Sequence, residues 1–276
     1  MFARERQVAL DAARAAARAI AEVQAGGFGV EFKDSAKDDP VTAADRTANA
    51  SIVAALRAAF PGDVIVAEED DVPAGFATAH RCWFVDPLDG TKEFVAGVPE
   101  WCVMIGLAVD GHARVGVVLV PSAGYALVGE VGAGATVIDA DGHSRPVSIS
   151  NVTESSHARI VSSRSRRSPV LDAIYKAIGE PREVRCGSVG VKIARMLLGD
   201  ADAYIHPRGG PKLWDLCAPE AIVRAAGGVF TDQHGDAIDY ARSEVAHERG
   251  MVVSGPTIHA QLLAAVARGL ASAHHE

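Results

Sequence analysis

The amino-acid sequence predicts a layered α/β protein built in two halves. Between residues 64 and 138 short apolar runs follow one another closely, divided by Gly, Asp and Pro, which is the pattern of a largely antiparallel sheet packed with helices. After about residue 150 the rhythm changes to strand, helix, strand, helix, the signature of βα units. With 276 residues, 49% of them hydrophobic and 22% charged, the chain is long enough for a large core or two fused halves. The halves are expected at 1–150 and 151–276, with no internal repeat and no linker long enough to separate them.

The first helix is read at residues 2–24. It is rich in Ala, but Arg4, Glu5, Arg6, Asp11, Arg14, Arg18 and Glu22 interrupt it, so it reads as amphipathic and not as a signal peptide. A second helix is expected at 43–60, started by Pro40-Val41-Thr42 and stopped by Pro61-Gly62. Strands follow at 64–67, 82–85, 103–109, 114–120, 125–128 and 135–138, with Asp110-Gly111 as a hairpin turn. The second half reads as strand 159–162, helix 169–178, strand 183–185, helix 189–198, strand 203–206, helix 215–226, strand 229–231 and a last helix at 257–270.

A net charge of −8 argues against a nucleic-acid polymer as partner, while a small phosphorylated metabolite held by local cations and metals stays compatible. Cys82, Cys102, Cys186 and Cys217 have no Cys-x-x-Cys spacing and sit among apolar residues, as free thiols of a reducing compartment do. His274 and His275 show no ligand spacing. No stretch approaches the roughly 18 apolar residues of a membrane span. A cytoplasmic protein without a membrane partner is expected.

The segment from Trp83 to Phe94 is the most informative. An apolar run delivers Asp86 and Asp89 onto a turn that Pro87 and Gly90 make tight, so both carboxylates and the Leu88 carbonyl can face one point. Hard divalent cations want such oxygen donors. Gly90 permits close approach of the main chain to a ligand, and Thr91 reads as the cap of a helix whose amides could hold an anion. Taken alone, Asp-Pro-Leu-Asp-Gly-Thr is also an ordinary turn after a strand.

Three segments together resemble the inositol monophosphatase superfamily of magnesium-dependent, lithium-sensitive phosphatases. Asp86 to Phe94 fits the family's Asp-Pro-(Ile/Leu)-Asp-Gly-Thr-x-x-Phe, Trp214-Asp215 running on to Gly227-Gly228 fits its second signature, and Glu68-Glu69-Asp70 closes an apolar strand as the family's acidic pair does. The resemblance implies an αβαβα sandwich and two or three magnesium ions. It places Glu68, Asp86 and the Leu88 carbonyl on the first ion, Asp86, Asp89 and Asp215 on the second, Glu68 on a weaker third, and Glu69 outside them. Gly90 and Thr91 would bind the phosphate. Asp45, in Val-Thr-x-x-Asp, would bond Thr91 so that the pair orients the attacking water. Thr42 to Asp45 also reads as a capping box. A homodimer is common in this superfamily.

For the substrate, Val161 to Ser165, Cys186 to Ile193 and Pro207 to Asp215 are similar to segments of the 3'(2'),5'-bisphosphate nucleotidases. That likeness implies substrate contacts from Ser163, Arg164, Gly187, Ser188, Lys192, Arg208 and Lys212, with the four cations as a basic wall facing the metals. Arg166 stands where those enzymes carry His, and Gly97 to Trp101 resembles inositol and histidinol-phosphate phosphatases. The expected activity is removal of the 3'-phosphate of adenosine 3',5'-bisphosphate. Inositol-1-phosphate or histidinol-phosphate hydrolysis, and a non-catalytic phosphometabolite-binding regulator, stand as alternatives.

Overall fold

The computed structural model describes residues 1–27, 29–32, 40–164 and 168–273. Ser165, Arg166 and Arg167 of the expected substrate loop, and His274 and His275, lie outside the described residues.

Helix α1 (Ala3–Gly26) turns a stripe of Ala9, Ala12, Ala13, Ala16 and Ile20 inward, and these small side chains let α2 (Ala43–Ala59) approach closely. The two helices flank a short hairpin of β1 (Val30–Phe32) and β2 (Pro40–Thr42). Thr42 caps α2, its hydroxyl accepting from the Ala44 amide at 3.1 Å, while Asp45 reaches back to the Thr42 amide at 2.7 Å.

The first sheet contains β3 (Val64–Ala67), β4 (Arg81–Asp89), β5 (Cys102–Val109), β6 (His112–Val120), β7 (Tyr125–Glu130), β8 (Gly134–Asp139) and β9 (Ser144–Val147), in that order, with a short helix α3 (Thr91–Val95) after β4. Pairing is antiparallel except between β3 and β4. Asp110 and Gly111 both take positive φ, 52° and 73°, as a tight hairpin turn of this hand requires.

The second sheet holds β10 (Arg159–Ser163), β11 (Arg182–Cys186), β12 (Ala203–His206), β13 (Val229–Thr231) and β14 (Met251–Ser254), ordered β11-β10-β12-β14-β13. Helices α4 (Pro169–Ile178), α5 (Val189–Leu197), α6 (Leu213–Ala225) and α7 (Pro256–Ser272) alternate with them. The sequence reading omits β14, which runs antiparallel to both neighbours and ends the βα series.

Alternation along the strands sorts the core into layers. Trp83 and Val85 pack under α1 and α2, whereas Cys82 and Phe84 point the other way, toward α5 and α6. In the second sheet Val161, Tyr204 and Val253 face those same two helices, and Ile160, Ile205 and Val252 face α4 and α7. The result is the αβαβα sandwich. Both sheets are covered on both faces, so their strands read as unbroken apolar runs.

Gly106, Gly116 and Gly129 stand opposite one another on β5, β6 and β7 and form a track across the first sheet. A Cβ on them would lie 2.6 Å from the Ala218 amide, 2.2 Å from the Ala218 carbonyl and 2.7 Å from the Ile222 Cα. Helix α6 thus rests directly on sheet backbone, and this contact sets the height of its first turn above the strands.

Candidate active site

The acidic end of β4 is built by a bulge. Asp86 pairs with Met104 and Asp89 with Cys102, so two residues of β4, Pro87 and Leu88, stand against one on β5. In a regular strand residues three apart point to opposite faces; the extra residue turns Asp86 and Asp89 toward the same cleft. The expected turn after a strand is therefore a bulge within one. Asp86 also accepts from the Leu88 amide at 3.0 Å. Parallel pairing of β3 brings Glu68 alongside, its amide bonded to the Val85 carbonyl at 3.0 Å.

Gly90 takes φ 97°, and a Cβ there would sit 2.9 Å from the Glu100 carbonyl. Gly90, not Thr91, occupies the cap of α3; Thr91 is the first residue of the helix. Its hydroxyl lies 3.1 Å from Asp45 Oδ1 and 3.1 Å from the Leu88 carbonyl. Asp45 Oδ2 meanwhile accepts from the amide and hydroxyl of Thr42, both at 2.7 Å. Asp45 closes the capping box and holds Thr91 with the same carboxylate.

Asp215, in the first turn of α6, accepts from the Lys212 amide at 2.6 Å. Burial, then Glu68 and Asp89 nearby, pushes its carboxyl up to about 8. Burial, then Glu68, Asp89 and Asp215, pushes Asp86 well above the usual carboxylate range. Asp89 is partly spent on joining the halves: its Oδ2 accepts from the Ser188 hydroxyl and, at 2.7 Å, from the Gly190 amide in the first turn of α5. Ser188 caps α5, accepting from the Val191 amide at 3.1 Å, with φ held at 52°, a strained value for a residue with a side chain.

Glu68, Asp86, Leu88, Asp89, Gly90, Thr91 and Asp215 line one cleft of 460 Å³, joined by Ser163, Gly187, Ser188, Lys192 and Lys212. Lys192 is buried, donates to the Ser188 carbonyl at 2.9 Å and stands 5.3 Å over the Tyr204 ring; burial lowers its pKa. Trp214 of the second signature lines it too, as do Lys92, Glu93, Tyr204 and His206, to which the sequence reading gives no role. Tyr204 and His206 are two apart on β12, so strand periodicity was a usable signal.

Arg164 and Arg208 are placed differently from the expected basic wall. Arg164 donates to Glu100 at 2.6 and 3.1 Å, and Arg208 is exposed; neither is among the residues lining the cleft. Glu100, which the sequence reading includes only within Gly97 to Trp101 and gives no role, is a buried hub that also takes the Gly187 amide at 2.8 Å and Arg195 at 3.1 Å. Burial would raise its carboxyl, but these partners hold it below the usual range.

Among the described residues, the trio with ligand atoms within 4.8 Å of one another is Asp139, Asp141 and His143, on an exposed turn. Among the described residues no three groups of the cleft meet that spacing. The cleft's donor set suits a hard divalent cation: all oxygen, converging from three elements, with Asp86 and Asp215 pushed toward protonation by burial and then by the field of Glu68 and Asp89. A cation relieves that repulsion.

An oxyanion-rich cleft of this kind, faced by lysines, is the apparatus of a metal-assisted phosphatase. The chain belongs to the inositol monophosphatase family, whose model matches residues 3–271, and it is a phosphoric monoester hydrolase. It is 34% identical over 243 residues to the 3'(2'),5'-bisphosphate nucleotidase CysQ of Salmonella typhimurium, covering 84% of this chain and 92% of that protein. It is 32% identical over 262 residues to the human 3'(2'),5'-bisphosphate nucleotidase 1, covering 83% and 82%. Among solved structures, the extragenic suppressor protein suhB of Bartonella henselae superposes with a TM-score of 0.81 at 25% identity over 95% of this chain and 98% of that one. The CysQ of Bacteroides thetaiotaomicron gives 0.75 at 25% identity over 92% and 98%. Among the described residues no helix is long and apolar enough to cross a membrane.

Proposed function

We propose that this chain removes the 3'-phosphate of adenosine 3',5'-bisphosphate, giving AMP and inorganic phosphate. The observation that carries the reading is the run of relatives named as bisphosphate nucleotidases at 32–34% identity across most of the chain. Lys192 and Lys212 in the cleft agree with a substrate bearing more than one phosphate.

Glu68, Asp86, Asp89, Asp215 and the Leu88 carbonyl would hold two or three magnesium ions. Magnesium bound there would lower the pKa of the attacking water and neutralise the phosphate oxygens. The residues of the chain supply position. The Thr91 hydroxyl has one proton and two acceptors at 3.1 Å, Asp45 and the Leu88 carbonyl. With that carbonyl turned to a metal the proton would go to Asp45, leaving the hydroxyl's lone pairs to accept from the water and fix its direction of attack. Gly90 lets the backbone of α3 approach the phosphate. Lys192, already anchored on Ser188, meets the second phosphate without a large ordering cost. A homodimer and a cytoplasmic location belong to the same proposal; light scattering on the purified protein tests the first.

Inositol 1-phosphate is the second reading, favoured by one observation: Arg208, one of the four cations of the basic wall that the nucleotidase likeness implies, does not line the cleft. Phosphate release from adenosine 3',5'-bisphosphate, inositol 1-phosphate and histidinol phosphate, measured side by side in magnesium, decides. The bisphosphate is expected to lead in kcat/KM by at least about tenfold, the worth of one charge-assisted contact. A lead for inositol 1-phosphate would overturn the assignment.

A further inference from the structure

Asn49 is a polar residue in a place that favours an apolar one. It lies in the middle of α2 with 4% of its surface exposed, between the buried Ala48, Ile52 and Val53. Asn competes with helical backbone for hydrogen bonds and is a weak helix former, and its Oδ1 is buried with no partner among the described residues. A residue kept against local preference calls for a reason elsewhere.

The reason lies at the other end of its amide. Asn49 Nδ2 donates to Asp70 Oδ1 at 2.9 Å, and the Asp70 amide donates to the Ala67 carbonyl at 3.2 Å. Asp70 therefore closes the turn that contains Glu68 and Glu69, and Asn49 fixes Asp70 from the buried side. One helical turn earlier on the same face, Asp45 fixes Thr91 at 3.1 Å. A single stripe of α2 thus braces both walls of the cleft: Asp45 the wall of the hydroxyl, Asn49 the wall of Glu68.

We propose that Asn49 is a positioning residue for the metal site, acting through Asp70 to hold Glu68 where it can ligate a divalent cation. This rests on the reading of Glu68 as a magnesium ligand. The device explains why Asp70 keeps a defined place although it is exposed and bears no ligand role. It also explains the uneven environment of Asn49, whose amide nitrogen is bonded to Asp70 while its oxygen is left without a partner among the described residues. The donor is what the position requires.

The test is magnesium binding by calorimetry to the metal-free protein, with thermal unfolding recorded alongside. Asn49→Ala is expected to raise the magnesium dissociation constant about tenfold, the low end for loss of a group that orients a ligand, while the metal-free protein unfolds no lower than wild type. Asp70→Ala, at an exposed position that cannot threaten the core, should weaken binding by the same factor. The double variant should add nothing further, since both remove one link. Asp70→Asn deletes the charge but keeps an acceptor for Asn49 and should bind magnesium like wild type. Glu68→Gln separates the two readings. If it binds magnesium normally, the ligand reading and this proposal both fail. If it loses binding while Asn49→Ala does not, only the proposal fails. Additive losses in the double variant, or an Asp70→Asn as weak as Asp70→Ala, would show a charge effect in place of a brace and overturn it.

Discussion

At the scale of single residues, burial decides which charges act in the cleft. Asp86 is buried and Asp215 half-buried beside other carboxylates, and removal from water is the first cause of both raised pKa values. Asp215→Asn is expected to lower magnesium-dependent phosphate release by about 10³-fold, since a metal clamp supplies several kcal/mol. The same change removes a carboxyl that the metal-free protein must either protonate or hold charged at a cost, so its melting temperature should rise by roughly 2–4 °C per kcal/mol recovered. Near-normal turnover would exclude Asp215 from the site. The cations divide by the same criterion. Lys192→Met should lower kcat/KM on the bisphosphate about 10- to 100-fold, whereas Arg208→Ala, at an exposed position outside the lining, should change it less than about threefold. Equal losses in the two variants would restore the basic wall. The acidic motif residues were legible because they are neighbours in sequence, and the tight Pro-Leu-Asp-Gly spacing announces convergence. The pairing of Arg164 with Glu100 was not, because it joins residues 64 apart whose letters say nothing of each other.

At the scale of elements, the position of Asp215 depends on how α6 lies on the first sheet. Strand boundaries were readable from apolar runs, and strand 203–206 and helix 169–178 coincide with β12 and α4. Three features were not readable. The bulge that turns Asp86 and Asp89 to one side leaves only Pro87 as a trace. Strand β14 is three apolar residues and a serine with no helix before it, so the βα rhythm passed over it. The glycines of β5, β6 and β7 lie in separate strands and carry no mark of one another in the sequence, although a Gly inside a strand often marks a close backbone approach. Their alignment appears only in the register. Gly116→Ala places a methyl 2.2 Å from the Ala218 carbonyl, and backbone on both sides cannot yield as a side chain would. A loss of roughly 1–3 kcal/mol is expected from overpacking, with weakened magnesium binding as the first turn of α6 and Asp215 are lifted. Gly62→Ala, where a Cβ meets nothing within 4 Å, is the control and should unfold like wild type. If Gly116→Ala matches it in urea unfolding, α6 is not seated as described.

At the scale of the whole molecule, the cleft is the seam of the sandwich. The first sheet supplies Asp86 and Asp89, the helix layer between the sheets supplies Asp215 and Lys192, and β10 and β12 supply Ser163 and Tyr204. An accumulation of carboxylates at such a seam sets stability against charge, and pH exposes the conflict. Between about pH 7 and 8.5 the raised groups that titrate in the folded protein are Asp215, at about 8, and Glu220, at about 7 and bonded to Tyr240 at 2.8 Å. Both are already ionised in the unfolded chain, where carboxylates titrate near 4. The folded state therefore binds more protons, and its stability, complete at low pH as far as these groups are concerned, is lost as pH rises through their folded values, by up to ~1.4 kcal/mol per pH unit for each proton. Lys192, lowered by burial, has the opposite sign, so the melts are made on Lys192→Met, which lacks that group; the other groups of that sign do not enter this window. Asp202, held down to about 2 beside Arg159 and Ser150 against the effect of burial, acts only in acid, and the buried His247 and His259, both lowered, are neutral in either state above pH 7. The metal-free protein should thus melt at progressively lower temperature from pH 7 to 8.5. Magnesium should flatten the decline, because a cation at Asp86 and Asp215 takes the place of the bound proton, while the share of Glu220 remains. The stabilisation by a fixed magnesium concentration is therefore expected to be larger at pH 8.5 than at pH 7. Calorimetric melts across the window, with magnesium and with chelator, make the comparison. A metal-free midpoint that rises with pH, or a magnesium effect that shrinks, would mean that the seam carboxylates are not the cation site.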